Sequence, residues 1–135
     1  MFTLHPQLNV ETYEITSWDL CQVRLMNDRN YPWLVLVPQV PNIKELFDLK
    51  KADRERLMDE TTHAASLLAG MTQADKINVA TLGNMVPQMH VHVIARYESD
   101  LAWPRPVWGV FPADPYGEDE LKEALTYMKG HFRAP

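Results

Sequence analysis

The chain has 135 residues, of which 46% are hydrophobic and 23% are charged, a composition typical of globular proteins. Its 13 basic and 18 acidic residues give a net charge of −5, which argues against nucleic acid as a partner because phosphate backbones bind basic faces. No apolar stretch approaches the roughly 20 residues of a membrane span, so no membrane partner is expected. A single cysteine, Cys21, and no basic-then-apolar start predict one cytoplasmic domain over residues 1–135.

The first predicted elements are two strands joined by a turn. Residues 20–26 alternate apolar and polar side chains, which is typical of a half-buried strand. Turn-forming residues follow at 27–32, and residues 33–37 are apolar throughout and rich in strand formers. Pro38 should end the second strand, because proline cannot donate to a sheet ladder. The pattern predicts a hairpin.

From about Ala52 to Ala69 the spacing of apolar residues becomes that of a helix. One side carries apolar and small residues: Leu57, Met58, Thr61, Ala64, Ala65 and Leu68. The opposite side carries charged residues: Arg54, Glu55, Asp59 and Glu60. Gly70 is the expected end of this helix.

The second half of the chain predicts another strand pair and a closing helix. Residues 77–80 and 85–95 are the strands, and residues 82–84 form the turn between them. A helix from about Glu118 to Lys129 begins with acidic residues, where the helix dipole favours them. Hairpins with segregated helices predict an α+β fold. We expect an antiparallel sheet of about five strands with one main helix and a C-terminal helix.

Gln88, His90 and His92 recur at every second position inside an apolar run. On a strand, alternate side chains share a face, so these three should point away from the core together. A neutral imidazole is a good nucleophile toward phosphorus when its other ring nitrogen is fixed by a hydrogen bond. A second histidine could then contact the same phosphate, and the glutamine could orient a partner. The pattern favours phosphate chemistry.

Plainer interpretations of these residues stay open. The two histidines could be structural, or they could ligate zinc or iron with a third ligand from His5, His63 or His131. Arg96 is predicted to be a surface charge at the end of its strand. Trp103 and Trp108 are predicted to serve packing or an interface rather than stacking on a base.

The segment from Asn78 to Arg96 resembles the signature of the histidine triad (HIT) family. That signature is His-φ-His-φ-His-φ-φ, where φ is hydrophobic, preceded by a strand with an asparagine and by a glycine-containing turn. The likeness is close over residues 76–96 and extends in register over about residues 10–110. Residues 111–135 would then be a C-terminal extension. The resemblance implies a HIT-like fold and a homodimer.

Roles for individual residues follow from the resemblance. His90 would be the nucleophile that attacks the α-phosphorus of a nucleotide, and His92 would contact the phosphate or the leaving group. Nucleotide and phosphate contacts are implied for four further residues: Asn27, Asn78, Gly83 and Asn84. The chemistry needs no metal and no other cofactor.

Three positions depart from the family pattern. Gln88 stands at the first triad position, Trp33 replaces a histidine that often precedes the second strand, and Met85 replaces a small hydroxyl residue. These departures affect how a proton would be supplied to the leaving group. The resemblance implies a hydrolase or nucleotidyl transferase acting on a dinucleoside polyphosphate, a phosphoramidate or a similar conjugate. A nucleotide-binding module without turnover, or a metal-binding protein using the two histidines, is the alternative.

Overall fold

The computed structural model describes residues 1–135. In chain order the elements are α1 (Pro6–Glu11), β1 (Thr12–Ser17), β2 (Cys21–Met26), β3 (Trp33–Pro38), a 3-10 turn (Leu46–Asp48), α2 (Lys51–Thr72), β4 (Lys76–Ala80), β5 (Val91–Arg96) and α3 (Glu118–His131). The strands form one antiparallel sheet in the order β1-β2-β3-β5-β4. The predicted α+β fold and five-stranded sheet are confirmed. None of the helices has the length and apolar character that crossing a bilayer would require.

The central strand β3 is apolar throughout because both of its faces are covered. Leu34 and Leu36 point into a cluster that includes side chains of α2. Trp33, Val35 and Val37 point into a second cluster on the opposite face of the sheet, which we call the site face. Strand β5 lies next to β3, with Val35 opposite His92 and Trp33 opposite Ile94. The side chains of β5 on the site face therefore lie beside Trp33, the first residue of β3.

Helix α2 differs from its prediction in its end and in one buried charge. It continues through Gly70 to Thr72, and the next residue, Gln73, caps it with a left-handed φ of 55°. Glu60, predicted on the solvent side, is fully buried and accepts hydrogen bonds from the backbone N–H groups of Leu20 and Cys21 at 3.0 and 2.9 Å. Its carboxylate satisfies two donors at the start of β2 that would otherwise be orphaned. The spacing of hydrophobic residues in the sequence does not show that these two N–H groups require an acceptor.

Met58 was predicted on the packed side of α2 and is 65% exposed. It follows Leu57 directly, so it is rotated about 100° away from the line through Leu57, Ala64 and Leu68, which are buried. Its side chain lies outside the stripe that covers the sheet.

The last strand is shorter than predicted. Regular pairing begins at Val91, so residues 85–90 approach the sheet as irregular chain. Met89 still packs in the core, and its N–H donates to the Ile43 carbonyl. Strand alternation therefore holds for His92 and Ile94 but does not extend back to Gln88. Helix α1 and strand β1 were not located by the sequence patterns.

Candidate functional site

His90 and His92 lie side by side at the start of β5. Their ring centroids are 4.9 Å apart with an interplanar angle of 74°. Both are largely buried, with 6% and 4% of their surface exposed. His92 is fixed within the sheet between Val35 of β3 and Ala80 of β4. The structure thus brings together the two histidines singled out in the sequence.

The ring of His90 is oriented by the chain just before it. Its Nδ1 lies 2.7 Å from the carbonyl oxygen of Gln88. A carbonyl can only accept, so Nδ1 carries the proton and Nε2 keeps its lone pair. This is the tautomer in which a histidine can attack an electrophile through Nε2.

His92 is held in the opposite tautomer by an indole. Nε1–H of Trp33 donates to Nδ1 of His92 at 3.0 Å, so the ring proton of the neutral histidine is on Nε2. Burial, and to a lesser degree the neighbouring His90, lower the pKa of His92 from 6.5 to about 3. If Nδ1 of His92 took a second proton, that proton would point directly at the N–H of Trp33. His92 is a neutral hydrogen-bond donor at physiological pH.

Two tryptophans form an aromatic wall around His92. The ring of Trp108 is 5.0 Å from that of His92, and it meets Trp33 edge-on at 5.7 Å and 90°. Trp108 was predicted to serve packing or an interface, and its place beside His92 was missed. The sequence offers no periodicity that links position 108 to position 92. Only the Pro- and Trp-rich character of its segment marks it as unusual.

Gln88 faces the N-terminal segment, residues 1–5. Its Oε1 accepts from the N–H of His5 and its Nε2 donates to the carbonyl of Thr3, each at 2.8 Å. Phe2 and Leu4 of that segment pack against the cluster on the site face. Both ends of the Gln88 amide thus bind backbone, and the side chain acts as a clamp on the start of the chain.

Asn78 is connected to a buried arginine. Its Oδ1 accepts from Nη1 of Arg96 at 2.9 Å, while its NH2 group makes no hydrogen bond within the protein. Asn78 lies opposite Ile94 in the sheet. Its amide nitrogen is therefore available to a ligand.

Arg96 was predicted to be a surface charge, and this prediction is wrong. It is 2% exposed, binds both carboxylate oxygens of Asp100 at 2.8 and 3.0 Å, and donates to the Arg105 carbonyl. Its guanidinium also lies over the rings of Tyr31 and Trp103. Its partners range from Asp100, four residues away, to Tyr31 in the turn before β3, and together they satisfy a charge that burial alone would disfavour.

The other residues predicted to bind nucleotide are dispersed. Gly83 has a φ of 78°, a left-handed conformation that favours glycine, and Asn84 is exposed without a side-chain partner. Both lie in the irregular segment before His90. Asn27 accepts from the N–H of Tyr116 at 2.9 Å, and its own N–H donates to the Glu11 carbonyl. It ties the end of β2 to the chain before α3 and makes no hydrogen bond to either histidine.

The metal alternative required a third ligand beside His90 and His92. No group of three histidine, cysteine, aspartate or glutamate side chains is placed to hold a metal ion. His63 instead contacts the Arg133 carbonyl through Nε2, and Nδ1 of His131 contacts the Tyr127 carbonyl. Nδ1 of His5, the third candidate, accepts from the N–H of Gln7 at the start of α1.

Comparison with known proteins assigns the chain to one family. The chain matches the family model described as HIT domain over residues 7–99. It is 46% identical to a histidine triad (HIT) protein from Sinorhizobium meliloti 1021, with a TM-score of 0.93 and 98% of each chain covered. A histidine triad protein from Bradyrhizobium japonicum is 39% identical, with a TM-score of 0.94 and 98% of each chain covered.

A third similar structure is a histidine triad protein from Marinobacter aquaeolei VT8, 42% identical with a TM-score of 0.93. That comparison covers 96% of this chain and 95% of the other. No curated protein matches the chain. The family model spans more than half of the residues, and the solved structures agree with it over nearly the whole length. The chain belongs to the histidine triad (HIT) family.

Proposed function

We propose that this protein is a nucleotide hydrolase or nucleotidyl transferase that works through a covalent nucleotidyl-histidine on His90. The observation that carries the proposal is the hydrogen bond from Nδ1 of His90 to the Gln88 carbonyl. It leaves the lone pair of Nε2 free to attack the α-phosphorus of a nucleotide conjugate.

The first step forms a bond between Nε2 of His90 and phosphorus as the bond from phosphorus to the leaving group breaks. The electron pair of the broken bond goes to the leaving atom. The His90 ring becomes positively charged, and the Gln88 carbonyl stabilises that charge through the Nδ1 proton. The hydrogen bond to the Gln88 carbonyl is therefore stronger after the attack, when the ring is charged, than before it.

In the second step, water attacks the same phosphorus. The phosphorus–nitrogen bond breaks, its electron pair returns to Nε2, and the attacking water releases a proton to solvent. The product is a nucleoside monophosphate, or a new conjugate where another acceptor replaces water. The proposal includes no cofactor.

Donors around the histidines would stabilise the transferring phosphate. Nε2–H of His92 and the free NH2 of Asn78 are the side-chain candidates, and the irregular chain at Gly83 and Asn84 would add further donors. We propose Asn27 as a contact to the ribose hydroxyls. Its Oδ1 has a second lone pair that could accept from a hydroxyl while the Tyr116 N–H stays bound.

The test uses the wild-type protein and His90→Ala. Each is incubated with dinucleoside polyphosphates and with adenosine 5′-phosphoramidate, and AMP release is followed. We expect His90→Ala to lose at least about a thousandfold in rate, because no other group offers a nucleophile. Mass spectrometry of the acid-sensitive adduct, after a quench at neutral or alkaline pH, should place an adenylyl group on His90. AMP release at an equal rate by His90→Ala would contradict the proposal.

The binding-module alternative has one observation in its favour. Gln88 is bound to the N-terminal segment, so it does not reach toward the histidines as a catalytic partner. Tight nucleotide binding by calorimetry, with no turnover on either class of substrate, would favour that alternative over the enzyme.

We further propose that the protein forms a homodimer through the open edge at β4. Both edge strands also contact helices: β1 contacts α1 and α3, and β4 contacts α2. Around β4, Val79, Met58 and Leu46 are 53%, 65% and 49% exposed and line an apolar hollow of about 190 Å³. An open strand edge beside apolar side chains favours pairing with another strand. A second copy of this chain would supply that strand.

Sedimentation velocity tests the homodimer. Val79→Lys should shift the protein toward monomer, because it places a charge inside the apolar contact. Val10→Lys is the matched control, since Val10 is 76% exposed on α1. A wild-type protein that is monomeric at micromolar concentration would contradict the proposal.

Two further predictions from the sequence stay part of the proposal. They are a single domain with a C-terminal extension from residue 111, and a cytoplasmic location. Cys21 is the single cysteine and is free, so the chain contains no internal disulfide, which agrees with a reducing compartment. Fractionation of cells expressing the tagged protein would test the location.

A further inference from the structure

We propose that the site acts on nucleotide conjugates whose leaving group departs as a stable oxyanion, such as a phosphate, and discriminates against conjugates whose leaving group must be protonated, such as phosphoramidates and alkyl esters. This inference rests on the proposed function and concerns its first step. It follows from the side chains that surround His90, because none of them is placed as a proton donor of suitable acidity.

His92 is the side chain closest to the role of an acid, and its contact with Trp33 removes it from that role. The indole N–H occupies Nδ1, so His92 can carry only the Nε2 proton. A neutral imidazole would become an imidazolate on losing that proton, which makes it a hydrogen-bond donor and not an acid. Burial on the site face, with 4% of His92 exposed, opposes the imidazolium form as well.

Gln88 cannot supply a proton either. A side-chain amide does not titrate in the physiological range, and this one is bound at both ends to the backbone of Thr3 and His5. The remaining ring nitrogen of His90 faces the Gln88 carbonyl. Met85 carries a thioether with no proton to give and is 91% exposed. None of these three groups can therefore protonate the leaving group.

Other titratable groups near the site either have hydrogen-bond partners already or are enclosed within the protein. Nδ1 of His5 accepts from the N–H of Gln7 and caps α1, and His5 does not join His90 and His92 in a cluster of ligating side chains. Asp100 is bound on both oxygens by Arg96. Tyr31 is 2% exposed, with its hydroxyl enclosed.

The consequence for the reaction is a strong dependence on the leaving group. When the bond from phosphorus to an anhydride oxygen breaks, the electron pair stays on a phosphate oxyanion that is stable at neutral pH without a proton. When a phosphorus–nitrogen bond breaks, the pair goes to an amine nitrogen that must gain a proton. A positioned general acid is worth about 10²–10⁴ in rate, and this site would lack that contribution for the second class.

The test measures kcat/KM on wild-type protein, because this constant reports the step that forms the shared adenylyl-enzyme. The substrates are a dinucleoside polyphosphate, adenosine 5′-phosphoramidate, and AMP esters of phenols of graded acidity. We expect the phosphoramidate to react at least about 100-fold more slowly than the anhydride. The rate for the aryl esters should fall steeply as the phenol becomes less acidic. Comparable constants for phosphoramidate and anhydride would overturn the inference.

The same data separate this inference from the proposed function. If neither class of substrate shows turnover that depends on His90, the proposed function fails. If acidic aryl esters react through His90 and the phosphoramidate reacts equally well, only the leaving-group inference fails.

A pair of variants tests the contact between Trp33 and His92. Trp33→His replaces a permanent donor by a group that can donate or accept, so His92 could carry and release a second proton. We expect the rate on the phosphoramidate relative to the anhydride to rise about tenfold or more. Trp33→Phe is the matched control, because it removes the donor without adding a proton carrier. An unchanged ratio in folded Trp33→His would overturn this assignment, and if that variant does not fold, the wild-type series still decides the inference.

Discussion

The indole N–H of Trp33 donates a 3.0 Å hydrogen bond to Nδ1 of His92, and this contact sets the tautomer of one of the two site histidines. Tryptophan is a donor only, so the contact admits a single tautomer of its partner. His90 has the complementary arrangement, with a carbonyl acceptor at Nδ1. The site therefore pairs one histidine with a free lone pair and one with a free N–H.

Trp33→Phe should change the tautomer of His92. In the wild-type protein we expect His92 to stay neutral down to about pH 4, because its pKa is lowered to about 3. Without the indole donor, the single ring proton can sit on Nδ1 as well as on Nε2, while burial and His90, which lower the pKa, remain and keep the ring neutral. Imidazole nitrogen chemical shifts followed over pH 3–8 give both the tautomer and the pKa.

The control for this prediction is Trp108→Phe. Trp108 also packs against the His92 ring but makes no hydrogen bond to it. A His92 tautomer that is the same in Trp33→Phe and Trp108→Phe would contradict the role assigned to the indole N–H.

Gln88→Ala should free the N-terminal segment, residues 1–5, from the site face. The substitution removes the acceptor of the His5 N–H and the donor to the Thr3 carbonyl. We expect amide exchange at His5 to accelerate about tenfold, since about 1.4 kcal/mol is a reasonable loss for a hydrogen bond of this kind. Hydrogen exchange followed by NMR measures it.

Gln73→Ala serves as the control for the clamp, because the Gln73 amide contacts only its own helix end at Gly70. Unchanged exchange at His5 in Gln88→Ala would show that Phe2 and Leu4 hold the segment without the amide.

Asp100→Asn should destabilise the fold at neutral pH and reduce its sensitivity to acid. Burial favours the neutral acid, but hydrogen bonds from Arg96 and from the N–H groups of Tyr97 and Trp103 outweigh it and lower the pKa of Asp100. The stabilisation is therefore complete above the ordinary carboxyl pKa and is lost as the pH falls through the lower, folded value. Removing this charge beside buried Arg96 should cost about 3–5 kcal/mol.

Urea unfolding from pH 7 to pH 2.5 checks both parts of this prediction. Asp114→Asn is the control, because Asp114 pairs with Arg29 where both side chains are 47% exposed, and such pairs contribute about 0–1 kcal/mol. Equal losses at pH 7 in the two variants would contradict the buried role of Asp100.

Tyr31→Phe should leave the stability unchanged or raise it by up to about 1 kcal/mol. The Tyr31 hydroxyl is the single buried side-chain polar atom without a partner, so removing it removes a desolvation cost. The Phe ring would keep the contacts with Trp33 and Arg96. Thermal and urea unfolding give the difference in free energy of unfolding.

Tyr97→Phe makes the same chemical change with the opposite expected sign. Its hydroxyl donates to the Thr72 carbonyl, so the variant should lose about 1 kcal/mol. A larger loss in Tyr31→Phe than in Tyr97→Phe would mean that the Tyr31 hydroxyl does have a partner.

Local sequence patterns predicted those elements whose reasons are local. The hairpin of β2 and β3, helix α2 and the position of His92 follow from spacing, because side chains alternate on strands and recur three or four residues apart on helices. The family resemblance around His90 and His92 is confirmed at the level of the family. The roles of the individual residues stay predictions.

Residues whose reasons lie elsewhere in the chain were missed or misplaced. Glu60 is buried because two backbone N–H groups at the start of β2 need acceptors. Arg96 is buried because Asp100, Asn78 and a carbonyl satisfy its donors together. The partners of Glu60 lie 39 and 40 residues away, and Asp100, although only four residues from Arg96, reaches the guanidinium through the loop after β5.

By itself the sequence determined the fold class and the pair His90 and His92 through the periodicity of neighbouring residues, and its resemblance to the HIT signature determined the family. Only the tertiary structure decided what surrounds that pair: the indole of Trp33 on His92, the wall formed by Trp108, and the clamp between Gln88 and the first residues of the chain. The physical reason is that a hydrogen bond or a ring contact depends on separation in space. Folding brings position 33 to position 92, and position 88 to position 5, through the sheet and the site face.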